Sequence, residues 1–475
     1  MIRGVSLLIV FMFVMNVCAQ ELDAALKSED LSSAQIALTV RDVTTNEILI
    51  DHNGDVLLIP ASSLKLVTTF TVLSKLGAEF MYVTKIGYRG ELLADGTLVG
   101  DLMIIGSGDP SLASPDEDVL DLDGLLSDIS NSISERGIKC ITGRIIVDDS
   151  IYEKEGIHHT WPWDDLTNYY ASGAYGFNFR ENYYDIQFKS SPSPGELTEI
   201  VSMYPDVGLT SFENRVTSGP KGSGDNAYIF GDPYGYGRYA KGTIPPGRNG
   251  FKIKGAIPNP AETFSNILGH HLTQRGVKVD GAELTVDSQE LKPLVQYMSP
   301  ELGILVKRAN YESVNLYCEV FLKELGSRDN SRPSTFEDGV NSVNSYLDEI
   351  GVGHKGLTLM DGSGLSLKNR VSTNFFTKFL AVIAKENTTT HITDYLAKTG
   401  QENTTLERFM ADSKSSGKVW LKSGSLGGAL SYTGIMQAQS GKWLTISLIS
   451  NGHTVGNSKI RKHFAKIIDE VYVNN

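Results

Sequence analysis

Ser62 and Lys65 have the residue types of a nucleophile and its base, and they stand three residues apart in the string PASSLK at positions 60–65. The apolar residues that follow recur at the spacing of one helix face: Leu66, Phe70 and Leu73. This pattern predicts a helix that opens at Ser62 and ends near Gly77. Residues three apart share a helix face, so the lysine amine can take the proton that the serine must lose to attack a carbonyl. The first-turn N–H groups can stabilise the resulting oxyanion.

Two later strings carry chemistry of the same kind. Ser313-Val314-Asn315 precedes a predicted apolar helix, where serine and asparagine are also common as helix caps. Lys422-Ser423-Gly424 falls on a predicted strand and is followed by Ser425. In the order Ser-x-x-Lys, Ser-x-Asn and Lys-Ser-Gly, the three motifs together are typical of penicillin-binding proteins and serine β-lactamases.

Further strings narrow this likeness to one family. They are GDL at 100–102, GDP at 108–110, WPWDD at 161–165, DGSGLS at 361–366 and KSGS at 422–425, with a long insertion between the first two motifs. With these features the chain resembles the class C low-molecular-mass penicillin-binding proteins, the D-alanyl-D-alanine carboxypeptidase/endopeptidases, over essentially all of the mature sequence. The resemblance implies a periplasmic serine enzyme that trims or cuts peptidoglycan stem peptides and is acylated by β-lactam antibiotics.

The resemblance implies an α/β fold in which a β-lactamase/transpeptidase-like domain carries two inserted β-rich domains. The strand pattern agrees, because two strands near the start and three near the end predict one antiparallel sheet flanked by helices and built from both termini. We expect residues 20–84 and 294–475 to form the catalytic domain. One inserted domain would comprise residues 85–100 and 175–293, and the second would comprise residues 101–174.

The resemblance also assigns catalytic roles to four residues. Ser62 is the expected nucleophile and Lys65 the base for acylation. Ser313 would relay a proton to the leaving amine and from the deacylating water, and Asn315 would hold the substrate amide and Lys65. Lys65 and Lys422 are like charges near one another, which would favour the neutral form of one of them. This chemistry requires neither a metal ion nor a cofactor.

A second group of residues is expected to bind the substrate. Lys422 and the Ser423 hydroxyl would hold the terminal carboxylate, and the backbone N–H groups of Ser62 and Ser425 would form the oxyanion hole. In the insertion, Asp165 would bind the free amine of the stem-peptide diamino acid. The alternative is that Trp161 and Trp163 are core residues and that Asp164 and Asp165 cap the next turn. The full expected set is Lys422, Ser423, Gly424, Ser425, Asp165 and Tyr170.

Composition and the first residues indicate an exported globular protein. The chain has 475 residues, is 41% hydrophobic and carries a formal net charge of −13, which argues against a nucleic-acid partner. Residues 1–19 have the pattern of a signal peptide cleaved after Ala19: a basic start, a short apolar run and small residues before Gln20. Export permits a disulfide, but Cys318 shares phase with apolar neighbours, so Cys140 and Cys318 are predicted to be separate core thiols.

Two other functions are compatible with parts of the pattern. A serine β-lactamase or esterase would use the same nucleophile, but the insertion and the DGSGLS string argue against it. A catalytically inactive wall-binding module would not need the five polar side chains that the three motifs retain. The sequence leaves open the balance between carboxypeptidase and endopeptidase activity.

Overall fold

The computed structural model describes residues 28–115, 118–283, 290–328, 333–386 and 392–475. The predicted signal peptide at residues 1–19 lies outside these ranges. Contacts divide the chain into two compact units. Among the described residues, the first unit comprises those up to Lys75, Val306–Val314 and Val340–Asn475, and the second comprises Leu76–Leu305 and Asn315–Gly339. No helix within the described ranges is long and apolar enough to cross a membrane.

The strands and helices are numbered here along the chain. The strands are β1 (Gln35–Asp42), β2 (Ile48–His52), β3 (Val83–Leu92), β4 (Thr97–Ile105), β5 (Cys140–Ile141), β6 (Ile145–Asp148), β7 (Tyr183–Lys189), β8 (Glu199–Tyr204), β9 (Ser211–Ser218), β10 (Tyr228–Gly231), β11 (Gly237–Ile244), β12 (Asn249–Ala256), β13 (Lys278–Val279), β14 (Lys292–Met298), β15 (Leu357–Thr358), β16 (Arg370–Val371), β17 (Ala397–Lys398), β18 (Val419–Leu426), β19 (Ala429–Gln437) and β20 (Trp443–Asn451). The α-helices are α1 (Lys65–Leu76), α2 (Leu122–Glu135), α3 (Pro260–Gln274), α4 (Leu302–Tyr311), α5 (Asn315–Ser327), α6 (Phe336–Glu349), α7 (Thr373–Glu386) and α8 (Asn457–Asn474).

A six-stranded sheet forms the centre of the first unit. Its strand order is β17-β18-β19-β20-β1-β2, and every neighbouring pair is antiparallel. The predicted sheet built from both ends of the chain is therefore confirmed. Strand β1 pairs with β20 along its whole length, from Gln35 opposite Asn451 to Asp42 opposite Leu444. This register joins the two ends of the chain into one sheet.

Helices cover the sheet because their apolar stripes need a surface to pack against. On α8 the buried residues recur at helical spacing: Ile460, Phe464, Ile467, Ile468 and Val471. They form one core with sheet residues such as Leu38 on β1, Tyr432 on β19 and Leu448 on β20. Each such side chain contributes about 1.5–3 kcal/mol when it leaves water. Helix α7 packs against β1, β19 and β20.

The second unit is rich in strands, as the sequence predicts. One sheet has the order β13-β5-β4-β3-β14, with β6 paired to β4, and two three-stranded sheets have the orders β12-β7-β8 and β10-β11-β9. A core of buried apolar side chains runs from Ile86 on β3 to Val277 before β13 and includes residues of α2 and α3. The division of the insertion into two domains at the predicted boundaries stays a prediction.

Cys140 and Cys318 form no disulfide within the described residues. Cys318 is fully buried on α5, as its phase with neighbouring apolar residues predicts. Cys140 is only half-buried on β5, so the expectation of two core thiols is wrong for this residue. Its strand is two residues long and lies between β4 and β13, and the Cys140 Sγ atom lies 3.9 Å from a carboxylate oxygen of Asp280, so the side chain meets a polar group rather than an apolar core.

Candidate active site

Ser62 lies on a tight turn that immediately precedes the helix, rather than on the helix itself. The turn is a 3₁₀ segment, Ala61–Leu64, and α1 begins at Lys65. Ala61 has φ of 47°, a left-handed conformation that costs free energy in a residue with a Cβ atom. Such strain is tolerated where the surroundings hold the backbone, and here it directly precedes the proposed nucleophile.

Lys65 is fully buried and points its amine at Ser62. Its Nζ lies 2.9 Å from the Ser62 hydroxyl oxygen and donates a second hydrogen bond of 2.9 Å to the Ser363 carbonyl. The predicted pairing of Ser62 and Lys65 therefore exists as a direct contact. The carbonyl orients the amine, so the amine is held in line with the hydroxyl from which it would take a proton.

The loop that supplies this carbonyl is organised by Asp361. This buried carboxylate accepts hydrogen bonds from the backbone N–H groups of Gly364 (2.9 Å) and Ser366 (2.6 Å) and from the Asn369 side chain (2.8 Å). Gly364 has φ of 87°, and a Cβ atom there would collide with the Ala61 carbonyl oxygen. The DGSGLS string also carries a local signal for this turn, because an aspartate followed by glycine and serine is typical of an Asx-type turn.

Ser63 differs from Ser62 because its hydroxyl forms buried hydrogen bonds within the protein. Ser63 is fully buried, and its hydroxyl contacts the Ser431 hydroxyl at 2.7 Å and donates to the Lys422 carbonyl at 3.1 Å. Ser62 is partly exposed. The adjacent serines therefore have different roles. Ser63 links the turn to β18 and β19 through hydrogen bonds, while Ser62 remains accessible.

Gly424 allows strand β18 to approach the turn closely. A Cβ atom at this position would lie 2.6 Å from the Pro60 carbonyl oxygen and 2.8 Å from the Ser62 nitrogen, and it would also collide with the Ser431 hydroxyl. Atoms at these separations overlap, so only glycine fits without a shift of the backbone. The Lys-Ser-Gly motif therefore needs its glycine for space.

Lys422 and Ser313 form a second contact pair in the same unit. Lys422 is fully buried on β18, and its Nζ donates 2.9 Å hydrogen bonds to the Ser313 hydroxyl and to the Ser423 carbonyl. Ser313 has φ of 68°, which places a second non-glycine residue of the site in a left-handed conformation. The structure thus brings together the side chains of the second and third motifs.

The two serines after Lys422 have different partners. The Ser423 hydroxyl donates a 2.9 Å hydrogen bond to the Thr405 hydroxyl, a residue that the sequence analysis did not identify. Ser425 is exposed, and its hydroxyl accepts a 2.9 Å hydrogen bond from the Asn457 side chain at the start of α8. Thr405 lies in an irregular segment that no periodic pattern marks, so only the fold identifies it.

Asn315, Tyr170 and Asp165 form a connected set in the second unit. The Asn315 side chain, at the start of α5, donates a 2.7 Å hydrogen bond to the Tyr170 carbonyl. The Tyr170 hydroxyl in turn donates a 3.0 Å bond to Asp165. Burial raises the pKa of Asp165 above its ordinary value, and the same burial, with Asp165 beside it, raises the pKa of Tyr170.

The two tryptophans beside Asp165 have different environments. Trp161 is buried and packs edge-on to Phe336 with ring centroids 6.4 Å apart. Trp163 is 62% exposed, so the alternative in which both tryptophans are core residues is wrong for Trp163. Asn168 lies between Trp163 and Tyr170 in the sequence. Its side-chain oxygen accepts a 2.9 Å hydrogen bond from the Ile229 nitrogen, which stabilises this turn.

Comparison with known proteins supports the resemblance found in the sequence. The profile of the D-Ala-D-Ala carboxypeptidase 3 (S13) family matches residues 18–471. A D-alanyl-D-alanine carboxypeptidase of Actinomadura sp. (strain R39) is 26% identical over 456 residues, which cover 92% of this chain and 81% of that protein.

Within the described ranges, no group of three or more His, Cys, Asp or Glu side chains could hold a metal ion.

The fold also matches solved structures. Penicillin-binding protein 4 of Haemophilus influenzae superimposes with a TM-score of 0.80 at 23% identity, covering 95% of this chain and 98% of that one. A β-lactam complex of the same protein gives a TM-score of 0.75 at 21% identity, covering 95% and 99% of the two chains. The predicted fold class is therefore confirmed.

Proposed function

The chain belongs to the D-Ala-D-Ala carboxypeptidase 3 (S13) family of peptidases, and on that basis we propose that it acts through an acyl-enzyme on Ser62. The observation that carries the proposal is the 2.9 Å contact between the partly exposed Ser62 hydroxyl and the buried Lys65 amine. The substrate is a peptidoglycan stem peptide ending in D-Ala-D-Ala, and β-lactam antibiotics acylate the same serine. The protein is exported to the periplasm, and its endopeptidase activity would use the same acyl-enzyme.

In the acylation step, the Ser62 oxygen attacks the carbonyl carbon of the penultimate D-alanine while the neutral Lys65 amine takes the hydroxyl proton. The bond between this carbonyl carbon and the nitrogen of the last residue then breaks, and Ser313 relays the proton held by Lys65 to the leaving amine. Water hydrolyses the ester in the second step with the same groups acting in reverse. The backbone N–H groups of Ser62 and Ser425 stabilise the oxyanion in both steps, and the loss of one such donor costs about 3 kcal/mol.

The terminal carboxylate binds to Lys422 and the Ser423 hydroxyl. Lys422 already contacts Ser313 at 2.9 Å, and Ser423 is aligned by its bond to Thr405. One cation and one hydroxyl donor suit a free carboxylate, which accepts charge-assisted hydrogen bonds. Asn315 holds the amide of the substrate backbone, and its side chain is steadied by the Tyr170 carbonyl.

Asp165 binds the free amine of the diamino acid in the stem peptide. The Tyr170 hydroxyl donates to one carboxylate oxygen of Asp165 and thereby leaves the other available to an ammonium group. A charge-assisted bond of this kind contributes roughly 1.5–3 kcal/mol. Tyr170 fixes the carboxylate and forms one wall of the subsite.

The nucleophile is tested by labelling with fluorescent penicillin. Ser62→Ala should lose all covalent labelling, since the attacking oxygen is gone. The matched control is Ser63→Ala, which removes the neighbouring hydroxyl and its bonds to Ser431 and to the Lys422 carbonyl. That control should keep labelling, at a reduced rate. Labelling of the Ser62 variant would remove the assignment.

The amine subsite is tested with two matched peptides, one with a free side-chain amine and one with that amine acetylated. Asp165→Asn should lower kcat/KM for the free-amine peptide by roughly ten- to a hundredfold, because the ammonium loses its anionic partner. The acetylated peptide and penicillin acylation should hardly change. If all three reactions fall equally, or none does, Asp165 has a structural role only.

A further inference from the structure

Lys323 is a fully buried lysine that the proposed reaction does not use. It lies on α5, and its Nζ donates to two backbone carbonyls, that of Glu155 at 2.7 Å and that of Ala174 at 3.2 Å. The centroid of the Phe336 ring lies 4.4 Å from the same nitrogen. Burial of a charged amine costs free energy unless hydrogen bonds compensate it, so a lysine at this position needs a structural or functional explanation.

The two carbonyls belong to opposite ends of one loop. The Ala174 nitrogen donates a 2.8 Å hydrogen bond to the Gly156 carbonyl, which closes the segment 156–174 at its base. Lys323 bridges the two stretches of chain on either side of this closure. The loop defined by residues 156–174 contains Trp161, Trp163, Asp165 and Tyr170.

Helix α5 therefore holds this loop at two places. Asn315, in the first turn of the helix, binds the Tyr170 carbonyl, and Lys323 binds the base of the loop about two turns further along. Phe336 links the base to the interior of the loop, because its ring also packs against His158 (5.0 Å) and Trp161 (6.4 Å). A rigid helix with two attachment points defines the shape of the segment between them.

The surroundings of Lys323 keep it able to act in this way near neutral pH. Burial lowers its pKa to about 8, while the negative charges of Glu153, Glu319 and Glu155 oppose that shift. The amine is thus mostly protonated at pH 7, where it gives two charge-assisted hydrogen bonds. The acceptors of those bonds are the two loop carbonyls, so the charge is used to hold the loop.

We propose that Lys323 is a positioning residue for substrate recognition, which fixes the 156–174 loop so that Asp165 and Tyr170 meet the stem-peptide amine. This inference rests on the proposed amine subsite. Lys323 touches no reacting atom in the scheme, and its loss should therefore change the binding of the amine and leave acyl transfer intact. A residue needed only for folding would affect both equally.

The experiment replaces Lys323 by methionine, which keeps most of the volume and removes the donors, and by arginine, which restores two donors. Lys278→Met is the control, since that lysine is exposed and forms a surface ion pair with Asp280 in the same unit. For Lys323→Met we expect KM for the free-amine peptide to rise about tenfold or more, with kcat and penicillin acylation within about twofold of wild type. Lys323→Arg should recover most of the lost affinity.

Hydrogen exchange supplies a readout that does not depend on the substrate. Backbone amides of residues 156–174 should exchange faster in Lys323→Met than in Lys278→Met, while those of β18 to β20 keep their wild-type protection. Unchanged exchange in the loop, or an equal loss of peptide turnover and penicillin acylation, overturns the proposal. If wild type itself fails to distinguish the two peptides, the amine subsite fails and the recognition role of Lys323 is overturned with it. Loop exchange then shows separately whether Lys323 holds the loop.

Discussion

Replacing Gly424 with alanine tests whether the close approach of β18 to the Ser62 turn sets the geometry of acylation. The φ of Gly424 lies outside the left-handed region, so alanine causes no backbone strain there and its methyl group causes only a steric clash. Its Cβ would lie 2.6 Å from the Pro60 carbonyl oxygen and 2.8 Å from the Ser62 nitrogen. Both atoms belong to the turn that carries the proposed nucleophile.

The size of the effect follows from these distances. Cβ atoms are essentially never closer than 3.0 Å to another non-bonded heavy atom, and their ordinary contacts begin at 3.4 Å, so the Pro60 carbonyl oxygen must retreat by roughly 0.4–0.8 Å. A misplacement of about 1 Å in a reacting group can cost about a hundredfold in rate. We therefore expect Gly424→Ala to slow acylation by roughly ten- to a hundredfold. Overpacking of this kind should also lower the free energy of unfolding by about 1–3 kcal/mol.

The assay is the second-order rate constant of acylation by fluorescent penicillin, measured beside a thermal melt. Gly224→Ala is the control, because no atom lies within 4 Å of its added Cβ and its φ is ordinary. The control should acylate at the wild-type rate and melt within about one degree of wild type. A Gly424→Ala protein that acylates at the wild-type rate would refute the argument that the contact sets the geometry.

Two further predictions concern the charges of the site. Lys65→Arg should abolish acylation, since a guanidinium cannot act as a base near neutral pH, whereas Lys422→Arg should keep partial turnover of peptides with a free terminal carboxylate. Full labelling of Lys65→Arg by fluorescent penicillin would contradict the scheme. Because burial raises the pKa of Asp165, its carboxylate gains a proton at a higher pH than an exposed aspartate does. KM for the free-amine peptide should therefore rise as pH falls through that raised pKa, and Asp165→Asn should lack this acid limb; an identical limb in the variant would assign it to another group.

The contact between Ser62 and Lys65 could be predicted because their spacing is local. Ser62 and Lys65 are three residues apart, and the order of the three motifs is a property of the chain itself. The central sheet was predictable for a similar reason, because strand-like runs bounded by turn residues identify β1, β18, β19 and β20 one strand at a time. One local detail differs from the prediction: the proposed nucleophile lies on a 3₁₀ turn before the helix. In that turn, Ser63 bonds to the Lys422 carbonyl on β18 and to the Ser431 hydroxyl on β19.

The partners of these residues are a different matter, because they come from distant parts of the chain. The Ser363 carbonyl reaches Lys65 only through the Asp361 turn, and Thr405 reaches Ser423 from an irregular segment. Likewise, nothing in the sequence distinguishes Lys323 from an exposed lysine on a helix. Only the fold buries it and places its amine against two loop carbonyls. By itself the sequence determined which residues we propose as the carriers of the chemistry and which strands form the central sheet. The tertiary structure alone decided which carbonyls, glycines and buried charges hold those residues in place, because such contacts depend on packing between segments that are distant along the chain and leave no periodic trace.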